Sequence, residues 1–195
     1  MDKYVITIAR QFGSLGRPIA KRLSEILGIE FYDRDIIEET AKQLGKGIKT
    51  VSNIEEKANY RYMLFPLGNA TTEEQDRIFS IESRIIEELS EKESCIIVGR
   101  CGDYILRNKK NVVSIYIYSS QENRFRNCVE MLHIDEKEAR KMMREVDRKR
   151  NAYYKHYTGF DQDDLSNYNL AIDSNLLGVE KTAQYLAELI VKYWL

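Results

Sequence analysis

Short apolar runs alternate with amphipathic stretches along most of the chain. Residues 3–9, 29–32, 94–98, 112–118 and 168–173 read as five short strands, rich in Val, Ile, Phe and Tyr and covered on both faces. Between them the apolar positions recur at helical spacing. Ile19, Leu23, Ile26 and Leu27 mark a helix after Gly16 that stops at Gly28. Ile36, Ile37, Ala41 and Leu44 mark one over 35–44, and Ile78, Ile81, Ile85 and Leu89 one over 72–92. A short helix reaches about Arg107, and Ser119 or Ser120 opens another to about Leu132. Asp135 opens a long charged helix to about Tyr154. Val179, Ala183, Leu186 and Ile190 form the inner stripe of a last helix over 179–194. Strands alternating with helices predict an α/β fold with a parallel sheet wrapped on both faces.

Ligands of such sheets bind at the carboxyl ends of the strands. The polar residues at those ends are Arg10 and a glycine-bearing turn, Asp33, Gly99-Arg100 with Asp103, and Asp173. The turn Gln11-Phe12-Gly13-Ser14-Leu15-Gly16-Arg17 leads from the first strand into the first helix. Backbone N–H groups and the positive helix end converge there, as phosphate sites require. Against the pattern G-x-x-x-x-G-K-[ST], Gly16 fits, Gln11 stands at the first glycine, Arg17 replaces lysine and Pro18 replaces the hydroxyl residue. Pro18 suits the first helical position. The segment 45–68 has no clear period, and its apolar stretch Met63-Leu64-Phe65-Pro66-Leu67 reads as a packed lid, a mobile substrate cover or a dimer contact.

Composition narrows the function. The chain has 195 residues and a formal net charge of -1, enough for one domain and not the basic balance of a general nucleic-acid binder. Apolar stretches are too short to span a bilayer, and a strand follows Met-Asp-Lys with no signal-like segment. Cys95, Cys101 and Cys128 lack metal-type spacing, and His133 and His156 are far apart; reduced thiols in the cytoplasm are the expectation.

Each candidate constellation has a plain alternative. The glycine turn is either a phosphate cradle or close helix–sheet packing. Arg100 either captures a substrate phosphate or forms an internal ion pair with Asp103 or Asp33. Arg140, Arg144 and Arg148 share a helix face that either meets a nucleotide or is solvated; with Tyr153, Tyr154 and Tyr157 it also admits an RNA-binding reading. Asp173 either serves a ligand or closes a turn.

Taken together, these pieces resemble the cytidylate kinase-like branch of the P-loop nucleoside monophosphate kinases over nearly the whole chain. The resemblance rests on Ile6–Arg17, Phe31-Tyr32-Asp33, Ile96–Arg100 with Asp103, the Asp147–Arg150–Tyr153 region and Leu170–Ser174. It implies a three-layer P-loop NTPase fold in one domain, with a five-stranded parallel sheet. A helical substrate-binding insertion would span about 34–71, and an arginine-rich lid about 133–167. It implies phosphoryl transfer from ATP, with Mg2+, to a nucleoside monophosphate such as CMP or dCMP. Arg10, Gly13, Ser14, Leu15, Gly16 and Arg17 would hold the donor phosphates. Asp33, Arg100 and Asp103 would face the acceptor, and Arg17, Arg148 and Arg150 would be catalytic. The magnesium-linked hydroxyl is missing unless Ser14 substitutes, so the metal ligands stay unassigned. A nucleotide-binding sensor or scaffold is the first alternative and an RNA-binding module the second; nucleotides are the expected partners, with a homodimer contact open.

Overall fold

The computed structural model describes residues 3–45, 47 and 70–194. Strand β1 (Val5–Arg10) lies at the middle of a sheet of order β2-β3-β1-β4-β5, with β2 Glu30–Tyr32, β3 Cys95–Val98, β4 Val112–Tyr118 and β5 Leu170–Asp173. Each neighbouring pair is parallel, so all the carboxyl ends lie along one edge. The central strands are apolar because both of their faces are covered: Ile6, Ile96, Val113, Ile115 and Ile117 are fully buried.

Helices α1 (Gly16–Leu27) and α7 (Gly178–Tyr193) cover one face, with Ile19, Leu23, Leu186 and Ile190 in the core there. On the other face, α2 (Arg34–Leu44) and α3 (Ala70–Lys92) contribute Ile36, Ile37, Ile78, Ile85 and Ile86 to the packing, and α4 (Gly102–Ile105) adds the partly buried Ile105. Helix α5 (Gln121–Arg126), capped by Ser120, runs into a π-helical turn over Asn127–Met131. Helix α6 (Glu136–Thr158) starts at Asp135, whose carboxylate accepts the N–H groups of Lys137 and Glu138. It continues past the expected end at Tyr154 to Gly159, which takes a left-handed conformation with φ 81°. The reason is tertiary: Tyr154 and Thr158 are buried, and their burial outweighs the polar character of this stretch. Ala139 and Met143 seat the other end of α6 on Phe12, Phe125 and Cys128.

Helix α1 also begins earlier than expected. Leu15 is its N-cap in a left-handed conformation, φ 58°, so Pro18 falls on the third helical residue. Proline is tolerated there because no first-turn N–H has an intrahelical acceptor. The Met63–Leu67 segment, and with it most of the expected insertion, lies outside the described residues.

Candidate functional site

The carboxyl edge of the sheet gathers most of the residues the sequence singles out. Arg10 ends β1, with the base of its side chain against Gly16 and its guanidinium against Gly99. A Cβ on Gly16 would come within 2.7 Å of Arg10 Cβ, and one on Gly99 would overlap Arg10 Nη1. These two glycines therefore make room for an arginine. Gly13, φ 78°, serves a different contact: a Cβ there would come within 2.7 Å of the Arg124 carbonyl and 2.8 Å of Cys128 Sγ.

Asp33 follows β2 and is buried, yet its side chain does not cap α2. It accepts instead from Arg17 Nε at 2.5 Å, and Arg10 Nη2 stands 3.8 Å from its other oxygen. Arg17 remains more than half exposed, with Phe31 below its guanidinium at 6.0 Å. Arg150 Nη1 donates to the Arg10 carbonyl at 3.1 Å. Burial, and then the charge of Arg150, push the pKa of Arg10 down to about 9; Asp33 opposes this, while Arg100 and Arg17 add to it. Arg150 is also held below its ordinary value, by burial first, and Asp147 and Asp33 counter that shift. Mutually repelling guanidinium groups thus share one strand edge. Beside them, α1 has no side-chain cap and no acidic residue in its first turn. Its first N–H groups and the cationic cluster carry positive charge or dipole of the kind that attracts anions.

Arg100 pairs with Glu82 of α3, at 3.7 Å, rather than with Asp103 or Asp33. Asp103 turns away from the arginine cluster and accepts from the Tyr154 hydroxyl at 2.6 Å. Burial raises its pKa, and that hydrogen bond partly offsets the rise. Arg148 lines a cavity of about 230 Å³ together with Arg10, Gln11, Tyr116 and Asp163. A larger cavity of about 700 Å³ opens between α5 and α6, lined by Arg124, Phe125, Arg140, Met143, Arg144 and Asp147. Asp173 closes a turn, accepting from the Asn175 N–H at 2.9 Å.

Several site residues carry weak local signals. Glu82 lies within the buried stripe of α3, four residues after Ile78, and is fully buried; a glutamate in an apolar stripe is the available cue. Asp147 accepts from the Phe12 N–H at 2.7 Å and pairs with Arg124, which also donates to the Phe12 carbonyl. Asn127 donates to the Gly13 carbonyl at 2.9 Å, placed there by the π turn. These contacts tie the glycine turn to α5 and α6 and have no signature in spacing.

The hydroxyl of Ser14 is fully buried and donates toward the carbonyls of Gln11 and Ile117, at 2.9 and 3.0 Å. It therefore does not stand in for the missing magnesium-linked hydroxyl. Among the described residues no group of three His, Cys, Asp or Glu side chains is placed to hold a metal ion. The tyrosines of α6 also have internal tasks. Tyr157 stacks on Phe79 with ring centroids 3.9 Å apart, Tyr153 meets Phe79 edge-on, and Tyr154 is buried. The three cysteines are buried thiols, with burial pushing Cys95 up to about 12. Among the described residues no helix is long and apolar enough to cross a membrane.

Sheet order and site define a P-loop-type kinase fold. The cytidylate kinase-like family matches residues 5–176, and the chain belongs to that family. A cytidylate kinase from Thermoplasma acidophilum is 25% identical over 187 residues, covering 95% of this chain and 91% of that protein. The crystal structure of an uncharacterized protein from Eubacterium ventriosum superposes with a TM-score of 0.74 at 26% identity, covering 97% of this chain and 99% of that one. Shikimate kinase from Acinetobacter baumannii, solved with shikimate, shares the fold with a TM-score of 0.54 at 16% identity, over 97% and 94% of the two chains.

Proposed function

We propose that this chain is a cytoplasmic ATP-dependent kinase that passes the γ-phosphoryl group to a nucleoside monophosphate, CMP, dCMP or a related small acceptor. The observation that carries the reading is the arginine cluster around Asp33 beside the uncapped start of α1. Such a cluster is costly without an anion and is relieved by a polyphosphate. In this reading Gly13, Ser14, Leu15 and Gly16 shape the turn so that the α1 N–H groups meet the donor phosphates. Arg17 is accessible on one side of its guanidinium and exchanges part of its contact with Asp33 for phosphate. Arg10, wedged by Gly16 and Gly99, supplies fixed charge that need not reorganise. Arg148 and Arg150, from the lid at about 133–167, stabilise charge on the phosphoryl group as it moves. Asp33 and Arg100 face the acceptor, whose binding also involves the insertion at about 34–71; Asp103 acts there through its turn. The cavity between α5 and α6 falls in the size range of nucleotide sites and adjoins the glycine turn through Arg124 and Asp147. Magnesium would travel on phosphate oxygens and water.

ADP release should require one acceptor from a panel of CMP, dCMP, UMP and AMP, and should fall by about a thousandfold in Arg17→Ala. The inward Ser14 hydroxyl favours a second reading, a nucleotide sensor or scaffold. Stabilisation by ATP without turnover on any acceptor would select that reading and refute the first.

A further inference from the structure

One face of α6 touches every part of the site in turn. Asp147 holds the Phe12 N–H of the glycine turn, and Arg150 holds the Arg10 carbonyl. Two adjacent tyrosines then reach the acceptor side. Tyr153 donates to Glu82 Oε2 at 3.1 Å, and Tyr154 donates to Asp103 Oδ2 at 2.6 Å. Glu82 is the ion-pair partner of Arg100, and Asp103 lies three residues farther along the turn that carries Arg100. The turn is strained. Gly99, Arg100 and Cys101 have φ of 76°, 57° and 54°, and non-glycine residues keep such a conformation only when their surroundings impose it. Inside the turn the Gly102 N–H bonds to the Gly99 carbonyl and the Ile105 N–H to the Cys101 carbonyl. From outside, the Gly99 N–H bonds to the Ile8 carbonyl of β1 at 3.0 Å, and α6 adds hydroxyl bonds to the Asp103 carboxylate of the turn and to Glu82, the partner of Arg100, of the kind that a charged acceptor strengthens.

The rings and the hydroxyls of these tyrosines do separate jobs. Stacking of Phe79 on Tyr157 and its edge contact with Tyr153 dock α6 on α3. The hydroxyls add direction rather than packing. We propose that Tyr153 and Tyr154 are positioning residues, which aim Arg100 at the acceptor and fix its distance from the α6 cations Arg148 and Arg150. The device rests on the reading of Arg100 as an acceptor-facing residue. It makes α6 a rigid spacer between the donor turn and the acceptor arginine, so donor and acceptor are registered through one helix.

Phenylalanine at either position keeps the ring and removes only the donor. The full-length chain and its Tyr153→Phe, Tyr154→Phe and double variants are treated with phenylglyoxal, and Arg100 is followed by peptide mapping, with Arg22 on α1 as internal reference. The same proteins, and Arg100→Ala, are assayed for ADP release against ATP and against the best acceptor of the panel. Arg100 should be modified several-fold faster in the double variant, with Arg22 unchanged. The acceptor KM should rise about tenfold while the KM for ATP holds. A purely structural role would lower the Tm and shift neither readout. Unchanged Arg100 reactivity overturns the inference, as does an unchanged acceptor KM in the double variant when Arg100→Ala raises it. If Arg100 is freed in the double variant while Arg100→Ala leaves the acceptor KM unchanged, the tyrosines do hold Arg100 and the acceptor assignment of Arg100 is what fails.

Discussion

Alanine at Gly99 tests whether the fixed position of Arg10 matters to function. The added methyl would overlap Arg10 Nη1, and the backbone would keep φ 76°. Gly28 provides the matched control, since its φ is 65° and a Cβ there meets nothing within 4 Å. An L-residue in this conformation costs about 1–2 kcal/mol. For a chain of this length that corresponds to a Tm about 2–8 °C lower, and the cost applies to both variants. The extra clash in Gly99→Ala falls on the far end of a flexible side chain, so it adds little to the stability loss. It does displace the guanidinium from its place near Asp33, 3.8 Å away. Misplacement of a positioned group by about 1 Å can cost about a hundredfold in rate. Thermal unfolding followed by circular dichroism, with ADP release normalised to folded protein, separates the two effects. Similar Tm values with a rate loss of about a hundredfold in Gly99→Ala alone are the expected result. Equal specific activity in Gly99→Ala and Gly28→Ala would refute the idea that Arg10 is held in place for chemistry.

Gly13→Ala should be more destabilising than Gly28→Ala, because its Cβ meets a backbone carbonyl at 2.7 Å as well as Cys128 Sγ and the backbone cannot step aside; comparison of urea midpoints checks this. Asp103→Asn carries a pH signature. Burial raises the Asp103 pKa in the folded protein, so the folded state binds this proton more readily than the unfolded state does. The contribution of Asp103 to stability therefore declines as pH rises from the ordinary aspartate range through the raised folded value. The stability of Asp103→Asn relative to the parent should increase over that same interval, and a difference that shrinks with rising pH would contradict the assignment.

Local pattern carried much of the architecture. The runs at Val5–Ile8 and Cys95–Val98 are apolar enough to announce covered strands, and Asp135 and Gly28 mark helix ends by side-chain and backbone chemistry that operates within a few residues. The end of α6 was not legible, because Thr158 belongs to the helix only through burial against distant residues. Arg100 illustrates the same limit at the site. Its place at a strand end could be read, but its partner Glu82 comes from a helix that precedes β3, and sequence alone offered Asp103 and Asp33 instead. Arg17 and Asp33 were both candidates, and only the sheet order brought them into a shared ion pair.

The sequence by itself determined which segments become strands and helices and which charged residues stand at the strand ends, since these follow from period, capping and turn chemistry over a few residues. Tertiary structure decided what those residues do to one another. The order β2-β3-β1-β4-β5 brings Arg10, Asp33 and Arg100 to one edge from three separate strands. The face of α6 then reaches Phe12, Arg10, Glu82 and Asp103 in succession. No local period encodes contacts across such separations; they arise because burying the sheet on both faces leaves the polar strand ends a single common edge to occupy.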